Sequence, residues 1–172
     1  MQHAPTPVHG PAINVAIASA RLRLEPLAEH HAAPLFDGLR DPAIYEWISL
    51  QPSPDLAHLQ AHCARVARFP LVGVDVLDFG WAVQRVADGA WIGKMDAEVT
   101  ARGVATNVGY LFVPAYWGQG YASEAVAALG EHLRRSASTC GAMAWSSSTP
   151  PSPWATRRPA GCWSARDSCA SA

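Results

Sequence analysis

The stretch "GYLFVPAYWGQGYASEA", residues Gly109 to Ala125, changes its character twice over a short length of chain. Up to Val113 its spacing is typical of a strand. The run "SEAVAALGEHLRR", which begins at Ser123 and continues past Ala125, has the spacing of a helix. Gly118 and Gly120 stand between these two parts, just before the helix. The stretch therefore predicts a strand, a glycine loop and a helix in direct succession.

The glycine loop is a candidate anion site. The start of a helix carries N–H groups without partners and a partial positive charge, so it attracts phosphate oxygens wherever the chain lets them approach. The consecutive amides belong to Gly118, Gln119, Gly120, Tyr121, Ala122 and Ser123. Glycines before helices are also common turn residues, and the loop matches neither the P-loop nor the three-glycine dinucleotide fingerprint. The loop alone therefore leaves its role open.

The residues before this stretch predict further regular elements. "ARLRLEPL" alternates like a half-buried strand, and "LAEHHAAPLFDGL" then has helical spacing. Two more helices are predicted to follow Asp41-Pro42 and Ser53-Pro54, because each pair offers an N-cap and a proline at the first helical position. From Val74 the period drops to two, with turns at Asp88-Gly89 and Arg102-Gly103. This pattern predicts an antiparallel meander.

The full order of elements resembles the GNAT superfamily of acyl-CoA-dependent N-acyltransferases, especially its ribosomal-protein-alanine acetyltransferases. The resemblance runs from about Ala20 to Arg135, and its most specific part is the signature Gln/Arg-x-x-Gly-x-Gly/Ala at Trp117 to Ala122. Trp117 departs from the general Gln/Arg, although this branch often has tryptophan there. The resemblance implies an α+β fold with a mixed, mostly antiparallel central sheet flanked by helices.

The resemblance also implies a co-substrate and a reaction. The amides of residues 118–123 would hold the pyrophosphate of acetyl-CoA, and the backbone of Leu111, Phe112 and Val113 would align the pantetheine arm. In this family that strand splays from its neighbour, which opens a slot between the two strands. The slot admits the thioester and a primary amine of a protein N-terminus or small molecule. The amine attacks directly, so positioning supplies much of the acceleration. No metal is implied.

Direct transfer still needs a group that accepts the proton of the ammonium. Glu98 and Asp96 lie on the strand before the signature strand, and alternation places them on one face. We predict Glu98 as the catalytic residue, against the alternative that this face is only solvated. Asn107 and Tyr110 are weaker candidates near the signature strand.

Two histidines are weak candidates for metal ligands. His58 and His62 stand at i and i+4 of a predicted helix, a spacing that can hold a metal from one face. No third ligand stands at a suitable spacing, so an exposed polar face is the favoured interpretation. His30 and His31 are predicted to be structural or exposed.

Composition excludes several classes of partner. The 13 basic and 14 acidic residues nearly cancel, so the sequence lacks the basic face of a nucleic-acid-binding protein. No run approaches the roughly 20 apolar residues of a membrane helix, and the four cysteines form no close CxxC pair. We expect a cytoplasmic protein with no nucleic-acid or membrane partner. A homodimer is one option that the sequence leaves open.

Three segments are predicted: a flexible lead over residues 1–18, an acyl-CoA N-acyltransferase domain over 19–135, and an atypical tail over 136–172. The tail contains no Leu, Ile, Val, Phe or Tyr, yet it holds three of the four Cys and three of the seven Trp. It lacks the apolar stripe of a strand or helix, so we expect it to pack poorly.

A frameshift is one interpretation of the tail. In the shifted frame the Cys162-Trp163 junction must encode Leu, because Trp is TGG and Cys codons end in T or C. The neighbouring junctions permit a string similar to the C-terminal part of the family. If the tail is native, the tyrosine with which the family protonates the departing thiolate is absent. The alternative function is then a catalytically defective acyl-CoA-binding or interaction domain.

Overall fold

The computed structural model describes residues 13–46, 48–68, 76–100 and 105–139. The strands are β1 (Ile17–Ala18), β2 (Leu22–Pro26), β3 (Val76–Arg85), β4 (Trp91–Thr100) and β5 (Ala105–Phe112). The α-helices are α1 (Ala32–Leu39), α2 (Pro42–Tyr45), α3 (Leu56–Arg68) and α4 (Tyr121–Thr139). Short 3-10 turns cover Glu29–His31 and Pro114–Tyr116.

The strands form one sheet in the order β1-β2-β3-β4-β5, and all four neighbouring pairs are antiparallel. The register places Glu25, Ala82, Lys94 and Leu111 in one row across the strands β2 to β5. Gly89 closes the turn between β3 and β4 with a φ of 71°. The predicted meander and the α+β fold are therefore confirmed, while the turn at Arg102-Gly103 lies outside the described residues.

Each face of the sheet carries its own core. On one face, Ala125 and Leu129 of α4 pack against fully buried strand residues such as Trp81 and Met95. The other face is covered by α1, α2 and α3, with Leu35 and Cys63 among the buried residues. Full burial of one large apolar side chain stabilises the fold by about 1.5–3 kcal/mol, so two such layers hold the sheet in place.

Packing begins earlier along the chain than Ser19, where the sequence predicts the domain to start. Ile13 and Ile17 are buried in the α4-side core, and Ile17 pairs with Leu24 in the sheet. The assignment of residues 13–18 to a flexible lead is therefore wrong. A two-residue edge strand is too short to give a periodic signal beside the prolines that precede it. Residues 1–12 lie outside the described residues.

Two helix boundaries also differ from the sequence prediction. The cap of α3 is Asp55, whose carboxylate accepts a hydrogen bond from the His58 N–H at 2.7 Å, rather than Ser53. The carboxylate satisfies an orphan N–H of the first turn, as Asp41 does for α2. At its other end, α4 continues to Thr139, beyond the predicted domain end at residue 135. The tail from residue 140 onward lies outside the described residues.

None of the helices in the described part of the chain combines the length and the apolar character needed to cross a bilayer.

Candidate active site

The glycine loop takes a conformation that only glycine adopts at low cost. Gly118 and Gly120 have φ values of 71° and 77°, both in the left-handed region. The Trp117 indole N–H donates to the Phe112 carbonyl at 2.7 Å and ties the loop to the end of β5. The two glycines therefore turn the chain sharply from β5 into α4.

The loop exposes a series of backbone donors. The first hydrogen bond of α4 joins the Glu124 N–H to the Gly120 carbonyl at 3.1 Å. The N–H groups of residues 118–123 have no acceptor among the residues that the structure describes. A Cβ on Gly118 would meet nothing within 4 Å, so the space beside the loop is open. An anion can approach these donors, and the predicted cofactor-binding residues 118–123 form one continuous loop.

Arg21 braces this loop from the start of β2. Its Nε lies 2.6 Å from Glu124 Oε2, and its Nη1 donates to the Gln119 carbonyl at 3.1 Å. Its guanidinium also lies over the Tyr121 ring, 4.6 Å from the centroid. The Ser19 hydroxyl donates to Glu124 Oε1 at 2.7 Å. The network therefore fixes both the loop and the first turn of α4.

Glu124 is ionised within this network. Burial acts to raise the pKa of Glu124, but the hydrogen bonds from Ser19 and Arg21 outweigh it and hold that pKa below its ordinary value. No local sequence pattern marks these residues. Arg21 and Glu124 are 103 positions apart, and an acidic residue in the first turn of a helix is common, so neither residue stood out.

A second cation lies close to the same loop. The Arg85 guanidinium lies over the Tyr116 ring, 4.9 Å from the centroid, and pairs with Asp88 at the hairpin turn. The hydrogen bonds from Arg85 and from the Ala90 N–H lower the pKa of Asp88 to about 2. Charged groups at this end of the molecule are thus satisfied by the protein itself.

A cleft of about 210 Å³ opens on the opposite face of the sheet, among α1, α2, α3 and the strands β4 and β5. Leu111, one of the residues predicted to align the pantetheine arm, contributes to its wall. The described residues of the lining are Phe36, Leu39, Arg40, Tyr45, Leu50, Gln51, Ser53, His58, Leu59, His62, Lys94 and Leu111. The described lining includes cations and histidines but no carboxylate.

The predicted carboxylates lie along β4 beside this cleft. A Cβ on Gly109 would stand 2.5 Å from Asp96 Oδ2, so Asp96 lies directly against β5. Glu98 is opposite Asn107 on β5 and Asp78 on β3. It does not line the cleft, because it stands four residues beyond Lys94, or about 13 Å along the strand. Asp96 is therefore the nearer carboxylate.

The carboxylates of β3 and β4 repel one another. Burial raises the pKa of Asp78, and the negative charges of Asp96 and Glu98 raise it further. Like charges in directly opposed strand positions destabilise a sheet. This face therefore retains charge at a cost to the fold.

The His30–His31 pair and the His58–His62 pair lie in different surroundings. His58 and His62 both line the cleft, and burial lowers the pKa of His62, with Lys94 and Arg65 lowering it further. His31 is buried against the Trp91 ring, whereas His30 is exposed. The predicted placement of His30 and His31 is therefore confirmed, and His58 and His62 share a cleft rather than a plain solvated face.

Glu25, His30 and His31 bring ligand-type atoms within 4.8 Å of one another, but the hydrogen bonds disfavour a metal there. The Ala28 N–H donates to His31 Nδ1 at 3.0 Å, so Nδ1 uses its lone pair and Nε2 carries the proton of the neutral ring. This Nε2 is 3.5 Å from Glu25 Oε2, slightly long for a hydrogen bond. His31 therefore points a proton, not a lone pair, at Glu25.

A family model described as an acetyltransferase (GNAT) domain matches residues 21–149. The chain belongs to the GNAT acetyltransferase family. The resemblance stated from the signature residues is thus confirmed at the level of the superfamily, while the ribosomal-protein-alanine branch stays a prediction. No curated protein matches this GNAT domain.

Several solved structures share the fold of this GNAT domain. A GCN5-related N-acetyltransferase from Brucella melitensis aligns with a TM-score of 0.56 and 22% identity, over 71% of this chain and 55% of that one. An acetyltransferase from Salmonella typhimurium that modifies the N-terminal serine of a 50S ribosomal subunit protein aligns with a TM-score of 0.56 and 18% identity, over 70% and 69%. A GNAT-family acetyltransferase from Bacillus anthracis gives 0.56 and 15%, over 69% and 65%.

The likeness to these structures concerns the fold, because the identities are low. This GNAT domain also spans only 58% and 55% of the length of two acetyltransferase structures that it resembles. Its own reaction and acceptor are therefore matters of proposal.

Proposed function

We propose that this chain transfers an acetyl group from acetyl-CoA to a primary amine, either a protein N-terminus or a small amine, by direct attack of the amine. One observation carries the proposal: the loop with the unsatisfied amides of residues 118–123 is tied to Phe112 at the end of β5, and the neighbouring Leu111 lines the cleft. With its diphosphate on the loop amides, acetyl-CoA would bring its thioester along this strand to an amine in the cleft. Family membership supports the same reaction.

The residues present fit coenzyme A. The loop amides of residues 118–123 offer donors to a pyrophosphate, and the Ser123 hydroxyl offers one more. Within the described part of the chain, β5 pairs only with β4. The Val113 N–H bonds the Ile92 carbonyl on that side, and the Phe112 carbonyl accepts from Trp117. On the outer edge of this segment, the Phe112 N–H is therefore the donor available to a pantetheine arm. Acetyl-CoA supplies an activated thioester. The protein supplies the alignment of that thioester with the amine, which accounts for much of the acceleration.

The amine must lose a proton before it attacks. We assign this proton to Asp96, since its carboxylate lies against Gly109 of β5 and beside the cleft. Glu98, the catalytic residue predicted from the sequence, is on the same face but farther from the cleft, and its role stays a prediction. The choice between the two carboxylates is open to a direct kinetic test.

A second candidate function is an acyl-CoA-binding domain without catalytic activity. The composition of residues 136–172 favours it, because that segment lacks tyrosine and therefore the thiolate-protonating acid that the family resemblance implies. A cytoplasmic location and a homodimer also stay predictions.

Calorimetry with acetyl-CoA followed by a thiol-release assay over an amine panel tests these functions. We expect saturable binding of acetyl-CoA and amine-dependent release of thiol. Binding without amine-dependent release would favour the second function. No binding would contradict both, since both depend on the loop amides.

A further inference from the structure

The charge of the cleft points to the class of acceptor. Arg40 and Lys94 are the ionised side chains of the described lining, joined by His58 and His62. A site that held only an ammonium would be expected to offer carboxylates to it. This cleft offers cations instead, while Asp96 pairs with Lys94 at its β4 side.

Lys94 carries most of this argument. It is the only lysine of the chain, and its side chain is 16% exposed. Its ammonium donates no hydrogen bond to a described residue, and its one ion pair, with Asp96 Oδ1, is long at 3.8 Å. Withdrawing an ammonium from water is costly unless it is paired and hydrogen-bonded. Lys94 thus retains donors for a ligand.

Arg40 adds a second donor at the end of α1. Its guanidinium lies over the Phe36 ring, 5.1 Å from the centroid, and it forms no ion pair with any described residue. A planar guanidinium held against an aromatic ring is well suited to bind a carboxylate through two N–H groups. Arg40 and Lys94 therefore bracket the cleft with two cations that lack a close anionic partner among the described residues.

We propose that the acceptor is a primary amine that carries a carboxylate near the amino group, and that Lys94 and Arg40 bind this carboxylate. The inference rests on the proposed function. It places the amino group toward Asp96 and the carboxylate toward the cations. The cleft of about 210 Å³ is smaller than the roughly 300–1,000 Å³ of a typical small-molecule pocket, so it fits the end of a chain or a small amino acid.

Two sources can supply this chemistry, a peptide whose N-terminus includes an acidic residue and a free amino acid. The first test measures thiol release with two pentapeptide amides that begin with alanine and differ only in a second residue of glutamate or glutamine. A parallel arm compares alanine with alaninamide. We expect kcat/KM to be about tenfold higher for the carboxylate member of at least one pair, as for one charge-assisted hydrogen bond.

Variants assign the preference to the cleft. In Lys94→Met the ratio of kcat/KM between the preferred acceptor and its neutral counterpart should fall several-fold toward one, because Arg40 alone is then left to bind the carboxylate. Lys94→Glu should reverse the ratio. The matched control is Arg23→Gln, since Arg23 is exposed, pairs with Glu25 and does not line the cleft. This control should keep the ratio.

A second test does not depend on catalysis. Because Lys94 is the only lysine, a succinimidyl ester labels Lys94 and the N-terminal amine, and mass spectrometry reads the two sites separately. With coenzyme A present, a saturating carboxylate acceptor should slow the labelling of Lys94 about tenfold relative to its neutral counterpart, as expected for an occupied site. The N-terminal amine serves as the internal reference.

The outcomes separate this inference from the proposed function. Equal rates within both acceptor pairs, or a ratio that is unchanged in Lys94→Met, would overturn the inference while leaving acetyl transfer intact. If no amine is acetylated, the proposed function fails and the labelling decides: protection of Lys94 supports a carboxylate site, and unchanged labelling overturns it.

Discussion

The loop beside Gly120 and the cleft beside Lys94 lie at the same strand but hold their charges in opposite ways. At the loop, Arg21 pairs with Glu124, and Arg85 pairs with Asp88, so the charged side chains satisfy one another and leave backbone N–H groups free. In the cleft, side-chain cations lack close partners among the described residues. The loop thus offers backbone N–H donors to a ligand, whereas the cleft offers side-chain cations.

The largest expected effect concerns the carboxylate beside the cleft. Asp96→Asn removes the carboxylate that lies against Gly109 while keeping its shape. We expect kcat to fall about 100-fold, the lower part of the range for loss of a general base, while the affinity for acetyl-CoA is unchanged. Steady-state kinetics across pH, together with calorimetry, measure the two quantities.

Glu98→Gln is the matched variant, because it makes the same change two residues along β4. A larger loss of kcat in Glu98→Gln than in Asp96→Asn would identify Glu98 as the general base. Equal rates in both variants and the wild type would remove both carboxylates from the reaction.

The next largest effect concerns the binding of acetyl-CoA by the glycine loop. Gly120→Val places a β-branched side chain at a φ of 77° and within reach of the Arg21 guanidinium. The left-handed backbone costs roughly 1–2 kcal/mol for such a residue, and displaced N–H donors add about as much again. We therefore expect the Kd for acetyl-CoA to rise about 50-fold.

Gly89→Val controls for backbone strain, since Gly89 has a φ of 71° in a hairpin turn that lies outside the loop. It should lower the thermal stability and leave the Kd unchanged. If Gly89→Val weakens acetyl-CoA binding as much as Gly120→Val, the loop amides do not form the binding site.

A smaller effect on acetyl-CoA binding is expected from the side chains that support the loop. Arg21→Gln removes the ion pair with Glu124 and the hydrogen bond to the Gln119 carbonyl. Exposed ion pairs are worth at most about 1 kcal/mol, so we expect the Kd for acetyl-CoA to rise about fivefold with kcat unchanged. High salt should reduce the difference from the wild type.

Arg23→Gln again serves as the control, because Arg23 is exposed and pairs with Glu25 away from the loop. A shift in Kd equal to that of Arg21→Gln would indicate that general loss of charge, rather than bracing of the loop, explains the change.

The same comparison explains what the sequence could predict. The loop is a contiguous segment, and its glycines, strand and helix stand in order from Gly109 to Ala125, so local patterns and family resemblance both reach it. The cleft combines residues from α1, α3 and β4 that are far apart along the chain. Lys94 and Arg40 therefore had no local pattern to mark them. β1 was missed for a different reason, since two residues carry no period.

The smallest expected effect concerns stability, and it should have opposite signs at the two ends. Burial and the charges of Asp96 and Glu98 raise the folded pKa of Asp78 above 3.8, so the folded state binds the proton more tightly than the unfolded state. The contribution of Asp78 to stability therefore falls as the pH rises from 3.8 through the folded pKa. Above that window, Asp78→Asn should raise the free energy of unfolding by about 0.2–1 kcal/mol, and at lower pH it should not.

Asp88 supplies the opposite case at the hairpin beside the loop. Its folded pKa of about 2 lies below 3.8, so its contribution is present above 3.8 and is lost as the pH falls toward 2. Asp88→Asn should therefore lower stability at neutral pH, by a small amount because the pair is exposed. Urea unfolding across pH compares the two variants. Destabilisation by Asp78→Asn at neutral pH would mean that the carboxylate of Asp78 is stabilised by its surroundings, and the contrast with Asp88 would fail.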